Sequence, residues 1–135
     1  MKNLHTMSAV IELGAGFALL YSPSTTVALL VGVPLEAPAA STMARLGGAA
    51  LFALGIACWL ARCDKRSHAA RGLVAAMLLY DFAAVAILAF AGIGLRLHGT
   101  ALWPGVILHA VMTVWCAVCL RRSPRDVEMA NRTRS

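Results

Sequence analysis

Hydrophobic residues are concentrated in four long runs, which cover about residues 4–21, 41–61, 69–91 and 101–120. Each run is close to the length of about 20 residues that an α-helix needs to cross the hydrocarbon core of a bilayer. The runs lack the period-two alternation of barrel strands, and helices are the other structure that satisfies every backbone group inside lipid. The pattern therefore predicts an all-α domain over residues 1–122, an antiparallel four-helix transmembrane bundle.

The segment between the first two runs, residues 22–40, has a different pattern. It contains Pro23, Pro34 and Pro38 around a short apolar stretch at residues 26–31. That stretch is too short to cross a bilayer. A short interfacial or re-entrant segment is therefore predicted here, and an ordinary ordered loop is the alternative.

The composition explains why lipid must replace part of the water around this chain. Only 13% of its 135 residues are charged and 60% are hydrophobic, with a mean hydropathy of +0.76. A soluble domain carries about 25% charged residues. The net charge of +6 comes from basic residues that flank the apolar runs, without interleaved aromatic residues. This distribution argues against a nucleic-acid partner and favours contact with membrane lipids through their anionic headgroups.

The basic residues also predict the orientation, because lysine and arginine concentrate in the cytoplasmic loops of membrane proteins. If the N-terminus is cytoplasmic, only Arg45 and Arg96 of the 12 basic residues lie on the opposite side. Both termini are therefore predicted to be cytoplasmic, with residues 123–135 as a polar tail. The basic residues on the cytoplasmic side are then Lys2, Arg62, Lys65, Arg66, Arg71, Arg121, Arg122, Arg125, Arg132 and Arg134.

Each predicted helix contains one ionisable residue away from its cytoplasmic end, namely Glu12, Arg45, Asp81 and His109. A rise of 1.5 Å per residue places Glu12, Asp81 and His109 roughly 15–18 Å from the cytoplasmic boundary, near the bilayer midplane. Arg45 lies nearer the outer boundary, where its long side chain can reach the headgroups. An uncompensated charge at the midplane costs about 2.5–3.5 kcal/mol or more. The two carboxylates and the imidazole are therefore expected to line a buried pocket inside the bundle.

Helical spacing adds further polar and aromatic residues to the same faces. His5 and Ser8 precede Glu12 by seven and four residues, so all three project to one side of the first helix. For Trp59, an aromatic anchor at the membrane boundary is the alternative role. The candidate catalytic residues are Glu12, Asp81 and His109, and the candidate substrate-binding residues are Ser8, Arg45, Phe52, Trp59, Tyr80 and Thr113.

Two interpretations of these intramembrane residues remain open. In the first, burial favours the protonated form of a carboxyl group, whereas a neighbouring cation favours the ionised form. Such a group can release a proton and take it up again, as acid/base catalysis requires. The protein then binds a small lipophilic molecule, or acts on it as an isomerase, cyclase or hydrolase. In the second, the same groups hydrogen-bond across helices and fix their packing, as in a non-catalytic accessory subunit of a membrane complex.

Four cysteines add a third hypothesis. Cys58, Cys63, Cys116 and Cys119 all lie at the predicted cytoplasmic ends of two helices. Cys116 and Cys119 form a C-x-x-C motif, which suggests thiol redox chemistry or a soft metal, and hence a small transporter or a thiol-dependent metal handler. Two observations argue against this role. The predicted cytoplasmic side is reducing, and no thioredoxin-like βαβ pattern surrounds the motif. No cofactor and no other metal site are predicted.

Residues 21–23 (YSP), 30–34 (LVGVP) and 44–55 (ARLGGAALFALG) resemble a pattern in small bacterial membrane proteins of the DoxX-like type. The resemblance covers roughly residues 10–60 and does not include the C-x-x-C motif. It implies a four-helix bundle in the bacterial inner membrane. Some such proteins are linked to oxidoreductase or quinol-related complexes. For this chain, the expected assembly is a homo-oligomer or a larger membrane complex.

Overall fold

The computed structural model describes residues 2–64 and 67–121. These residues form five α-helices and no β-strand: α1 (Lys2–Tyr21), α2 (Pro23–Val31), α3 (Pro38–Ala61), α4 (His68–Ile93) and α5 (Leu102–Arg121). Helices α1, α3, α4 and α5 are long and apolar enough to cross a membrane and pack against each other, which confirms the predicted all-α bundle. Lys65, Arg66, Arg122 and the predicted tail 123–135 lie outside the described residues.

The outer surface of the bundle is apolar. Large side chains such as Phe17, Leu60, Leu79 and Ile93 are each more than 60% exposed. In water this surface would be a large aggregation-prone patch, whereas in a bilayer it is solvated by lipid chains.

The predicted short segment between the first two long helices is the nine-residue helix α2. Pro23 begins it. Proline is tolerated in the first turn of a helix, because the backbone N–H that it lacks would have no acceptor within the helix there. Gly32 ends it with φ of 87°, a left-handed conformation that favours glycine, and its N–H donates to the carbonyl of Ala28. The Thr26 hydroxyl lies 2.8 Å from the Ser22 carbonyl and 3.1 Å from the Ala18 carbonyl, so its one hydrogen is shared across the junction between α1 and α2.

Helices α1 and α3 pack antiparallel with their backbones in close contact. A Cβ atom placed on Gly16 would lie 2.6 Å from the backbone nitrogen of Phe52, and one on Gly55 would lie 2.8 Å from that of Leu13. Gly48 is equally tight against the backbone of α1. Small residues permit this approach, which increases dispersion contacts between helices in lipid. Gly16, Gly48 and Gly55 are called the glycine seam below.

Helices α4 and α5 form the second antiparallel pair, and their contact depends more on side chains. Gly92 of α4 packs against Leu102 and Trp103 at the start of α5. At the other end, the Arg71 guanidinium donates to the carbonyl of Leu120 at 3.4 Å, which satisfies an acceptor in the last turn of α5. Helices α3 and α4 follow each other after a short connection, but they contact each other only slightly.

Contacts at one end of the bundle and in its core join the two helix pairs. At the end where α1 finishes, the Ala101 N–H donates to the Leu29 carbonyl at 2.8 Å, and Gly99 lies directly on the backbone of α2. In the half where α1 begins, one hydrophobic cluster draws on all four long helices. Its buried members are Leu4, Ala9, Cys58, Val74, Met77, Met112 and Cys116.

Candidate functional site

Asp81 and His109 form a hydrogen-bonded pair across the α4–α5 interface. The Nδ1 atom of His109 lies 2.8 Å from Oδ1 of Asp81. The Asp81 side chain is 1% exposed and that of His109 is 14% exposed. In the tautomer with hydrogen on Nδ1, the imidazole donates to the carboxylate, and Nε2 is left as an acceptor. The pair therefore has the geometry of a carboxylate that orients a proton-accepting imidazole.

Two neighbouring side chains restrict the His109 ring. Tyr80 of α4 meets it edge to face, with ring centroids 5.6 Å apart and an interplanar angle of 84°. The Thr113 hydroxyl donates to the His109 carbonyl at 2.7 Å. Thr113 therefore uses its only hydrogen within α5, and its oxygen can only accept a further hydrogen bond. Both residues were predicted near the site, and the structure places both next to His109.

Glu12 brings a second carboxyl group to the pair from α1. Its side chain is 2% exposed, and it lies within electrostatic range of both His109 and Asp81. The three predicted catalytic residues thus all have side chains that are mostly or fully buried inside the bundle, contributed by three different helices. Glu12, Asp81 and His109 are called the polar site below.

The polar site contains buried acceptors without partners. Among the described residues, Oε2 of Glu12 and Oδ2 of Asp81 are buried and receive no hydrogen bond. An unsatisfied buried polar atom costs about 1–3 kcal/mol, so native proteins tolerate few of them. Each oxygen is therefore a position for a proton or for a hydrogen-bond donor of a bound molecule.

His5 and Ser8 extend the buried polar surface of α1 toward the start of the helix. His5 is 1% exposed and Ser8 is 2% exposed, and Nε2 of His5 is a third buried atom without a partner. Ser8 was among the predicted site residues, whereas His5 was not. The spacing of His5, seven residues before Glu12, was the signal that could have identified it.

The three predicted substrate-binding residues on α3 have surroundings different from those of Tyr80 and Thr113. Arg45 is exposed and forms no ion pair with Glu12 or Asp81. Phe52 is half-buried where its backbone contacts the glycine seam. Trp59 is 43% exposed, and the Arg62 guanidinium lies over its ring, 3.7 Å from the centroid. This placement fits Trp59 as a boundary anchor and leaves Arg45 facing outward.

The cysteines divide into buried and accessible thiols. Cys58 and Cys116 are fully buried in the core cluster, each within electrostatic range of Asp81, whereas Cys119 is half-buried and Cys63 exposed. None of them forms a disulfide. Within residues 2–64 and 67–121, no group of three or more His, Cys, Asp or Glu side chains is arranged to hold a metal ion.

A shallow apolar groove of about 370 Å³ lies on the outer surface of α4, lined by Ala75, Leu78, Leu79 and Phe82. Leu78 lies one turn before Asp81 and packs against the core, whereas Ala75, Leu79 and Phe82 are exposed. The lining of the groove is apolar, so it contributes no polar group to the polar site.

Comparisons with known proteins give no relative from which a function could be transferred. No family model matches the chain, and neither the curated proteins nor the solved structures contain a significant match. The function is therefore inferred from the residues and their geometry.

Proposed function

We propose that this chain is an integral protein of the bacterial inner membrane, with both termini cytoplasmic, and that its polar site binds a small lipophilic molecule and exchanges protons with it. The distribution of basic residues and the resemblance to DoxX-like proteins support the location. The observation that carries the function is the buried Asp81–His109 hydrogen bond beside the unpartnered oxygens of Glu12 and Asp81.

These groups have complementary roles in such a site. Asp81 holds the imidazole through Nδ1, so Nε2 of His109 can accept a proton from a hydroxyl or an activated C–H group of the ligand. The partly exposed edge of His109 is the side from which a molecule in the bilayer can reach the pair. Glu12, the second buried carboxyl group, then returns or receives a proton. This is the arrangement that an acid/base isomerase, cyclase or hydrolase of a lipophilic substrate requires.

The proposal is tested by the small molecules that the protein retains when it is isolated from its own membrane. The protein is extracted into lipid nanodiscs, and bound lipophilic molecules are quantified by native mass spectrometry. We expect Glu12→Gln and Asp81→Asn to lower retention roughly 10-fold or more, because each removes one charge-assisted hydrogen bond.

Glu36→Gln is the matched control, since it makes the same chemical change at an exposed position outside the four long helices. We expect it to retain the ligand like the wild type. Equal retention by wild type and Asp81→Asn would contradict the proposal. Constant co-purification of a larger complex with all three variants would instead support the accessory-subunit alternative.

A further inference from the structure

The buried face of α1 carries three polar side chains in sequence. His5, Ser8 and Glu12 are 1%, 2% and 2% exposed, and their spacing of three and four residues keeps them on one side of the helix. With a rise of 1.5 Å per residue, this stripe extends roughly 10 Å from the beginning of α1 to the polar site. It therefore connects an end of the bundle with a site that is closed to water.

Unpartnered atoms lie at both ends of the stripe. Nε2 of His5 and Oε2 of Glu12 are buried, and neither forms a hydrogen bond with a described residue. Leu4 and Ala9, on the same helix, show that apolar side chains fill neighbouring buried positions. Packing alone does not require an imidazole there, because a polar atom without a partner destabilises the fold by about 1–3 kcal/mol.

The outer end of the stripe lies at the same end of the bundle as a polar loop. Because α1 and α3 pack antiparallel, the beginning of α1, which contains His5, lies at the same end as the last turn of α3, which Asp64 follows. Asp64 accepts a hydrogen bond from the Ser67 N–H at 3.2 Å and another from the Ser67 hydroxyl. Asp64 and Ser67 lie just outside the membrane-spanning helices α3 and α4, where water supplies protons.

We infer that His5 and Ser8 form a proton-transfer route between this end of the bundle and Glu12. The inference rests on the proposed acid/base function, since a site that exchanges protons with a ligand must be re-equilibrated with water. The steps balance: imidazole accepts a proton at one ring nitrogen and releases one from the other, and the Ser8 oxygen accepts it while its own hydrogen moves to Oε2 of Glu12. The reverse sequence returns the proton to water. His5 and Ser8 are relay residues and do not touch the ligand.

The inference is tested by the rate at which the Glu12 carboxyl group exchanges hydrogen for deuterium. The protein is reconstituted in lipid bilayers, and the infrared C=O band that Glu12→Gln removes is followed after rapid transfer to D₂O, at a pH where the band is fully developed. We expect His5→Ala to slow the exchange roughly 10-fold or more, as loss of a positioned proton-transfer group does. Added imidazole is expected to restore the rate in this variant.

Further variants distinguish a loss of proton transfer from a general disturbance of the fold. His98→Ala removes an exposed imidazole in the α4–α5 loop and is expected to leave the rate unchanged. Ser8→Ala, which changes little volume, is expected to slow exchange several-fold, and His5→Gln supplies a folded comparison if His5→Ala is unstable. An unchanged rate in Ser8→Ala and His5→Gln, or no Glu12→Gln-sensitive band at any pH, overturns the inference.

The outcome is distinguishable from failure of the proposed function. If Asp81→Asn and Glu12→Gln abolish ligand retention while the His5 and Ser8 variants exchange normally, the binding site stands and the relay is wrong. If exchange slows but no lipophilic molecule is retained by the wild type, the relay stands and the binding proposal is wrong.

Discussion

The two helix pairs of this bundle are held together by different means. Helices α1 and α3 meet through the glycine seam, where backbone lies on backbone and no side-chain hydrogen bond crosses between the described parts of the two helices. Helices α4 and α5 are joined by the buried Asp81–His109 hydrogen bond and by Arg71 at one end. The first pair is held by close backbone packing, although α1 also buries His5, Ser8 and Glu12. The second pair is held by a polar pair that costs free energy to bury.

This difference indicates a division of roles. Glu12 belongs to the tightly packed pair but lies within electrostatic range of the polar pair. The glycine seam therefore fixes the helix that carries Glu12, whereas α1 and α5, and likewise α3 and α4, contact each other only slightly. Substitutions in the seam should affect stability first, and substitutions in the polar site should affect ligand and proton chemistry first.

The largest effect is expected in the glycine seam. Gly16→Ala places a Cβ atom 2.6 Å from the Phe52 backbone nitrogen, which the rigid α3 backbone cannot avoid without moving. We expect a loss of about 3 kcal/mol in the free energy of unfolding, measured by denaturation in detergent micelles. Gly14→Ala is the control, because a Cβ atom there meets nothing within 4 Å. It should stabilise α1 by about 0.5–1 kcal/mol, and equal effects of the two variants would contradict the seam.

The second effect concerns the coupling of the polar pair. His109→Phe leaves Asp81 buried without its partner, and we expect a loss of about 2 kcal/mol in the free energy of unfolding. The double variant Asp81→Leu/His109→Phe removes both polar groups, so it should recover most of that loss. A coupling free energy below about 0.5 kcal/mol would show that the two side chains do not interact in the membrane.

A smaller effect is expected where α2 meets the loop before α5. A Cβ atom on Gly99 would overlap the Leu30 carbonyl, so Gly99→Ala should lower the free energy of unfolding by about 1–2 kcal/mol. Gly105→Ala is the matched comparison, because its nearest contact is the Leu88 side chain at an ordinary 3.5 Å. We expect that variant to be neutral or slightly stabilised in the same assay. A larger loss of unfolding free energy in Gly105→Ala than in Gly99→Ala would show that α2 and the loop before α5 do not pack against each other at Gly99.

The smallest effect is expected at Arg45. Because its side chain is exposed and forms no ion pair with the polar site, Arg45→Gln should change stability by less than about 0.5 kcal/mol and leave ligand retention unchanged. The measurement is the same nanodisc mass spectrometry used for Glu12 and Asp81. Loss of the ligand in this variant would show that Arg45 contributes to recognition after all.

Hydropathy was sufficient to predict the fold class. Four runs of the length required to cross a bilayer became four long helices, and the proline-bounded segment became α2. The pairing of helices was harder to predict. Apolar residues surround each helix, so no one-sided apolar face indicates which helix packs against it. Close packing between α1 and α3 depends on where individual glycines face each other, which is a property of the assembled pair.

The site was predictable as far as burial cost could identify it. Exposing the ionisable side chains of Glu12, Asp81 and His109 to lipid costs free energy. Their positions near the middle of the predicted helices therefore indicated that they face the inside of the bundle. The specific hydrogen bond between Asp81 and His109 did not follow, since it requires the register of α4 against α5.

The most direct test of the central claim is nitrogen and carbon solid-state NMR, in lipid bilayers, of the protein labelled at both histidine and aspartate. A through-space correlation between Nδ1 of His109 and the Asp81 carboxyl carbon is predicted by their 2.8 Å hydrogen bond. Glu12→Gln should shift the His109 ring resonances and leave those of His98 unchanged. Absence of the correlation, together with His109 resonances that are identical in wild type and Glu12→Gln, would contradict a shared polar site.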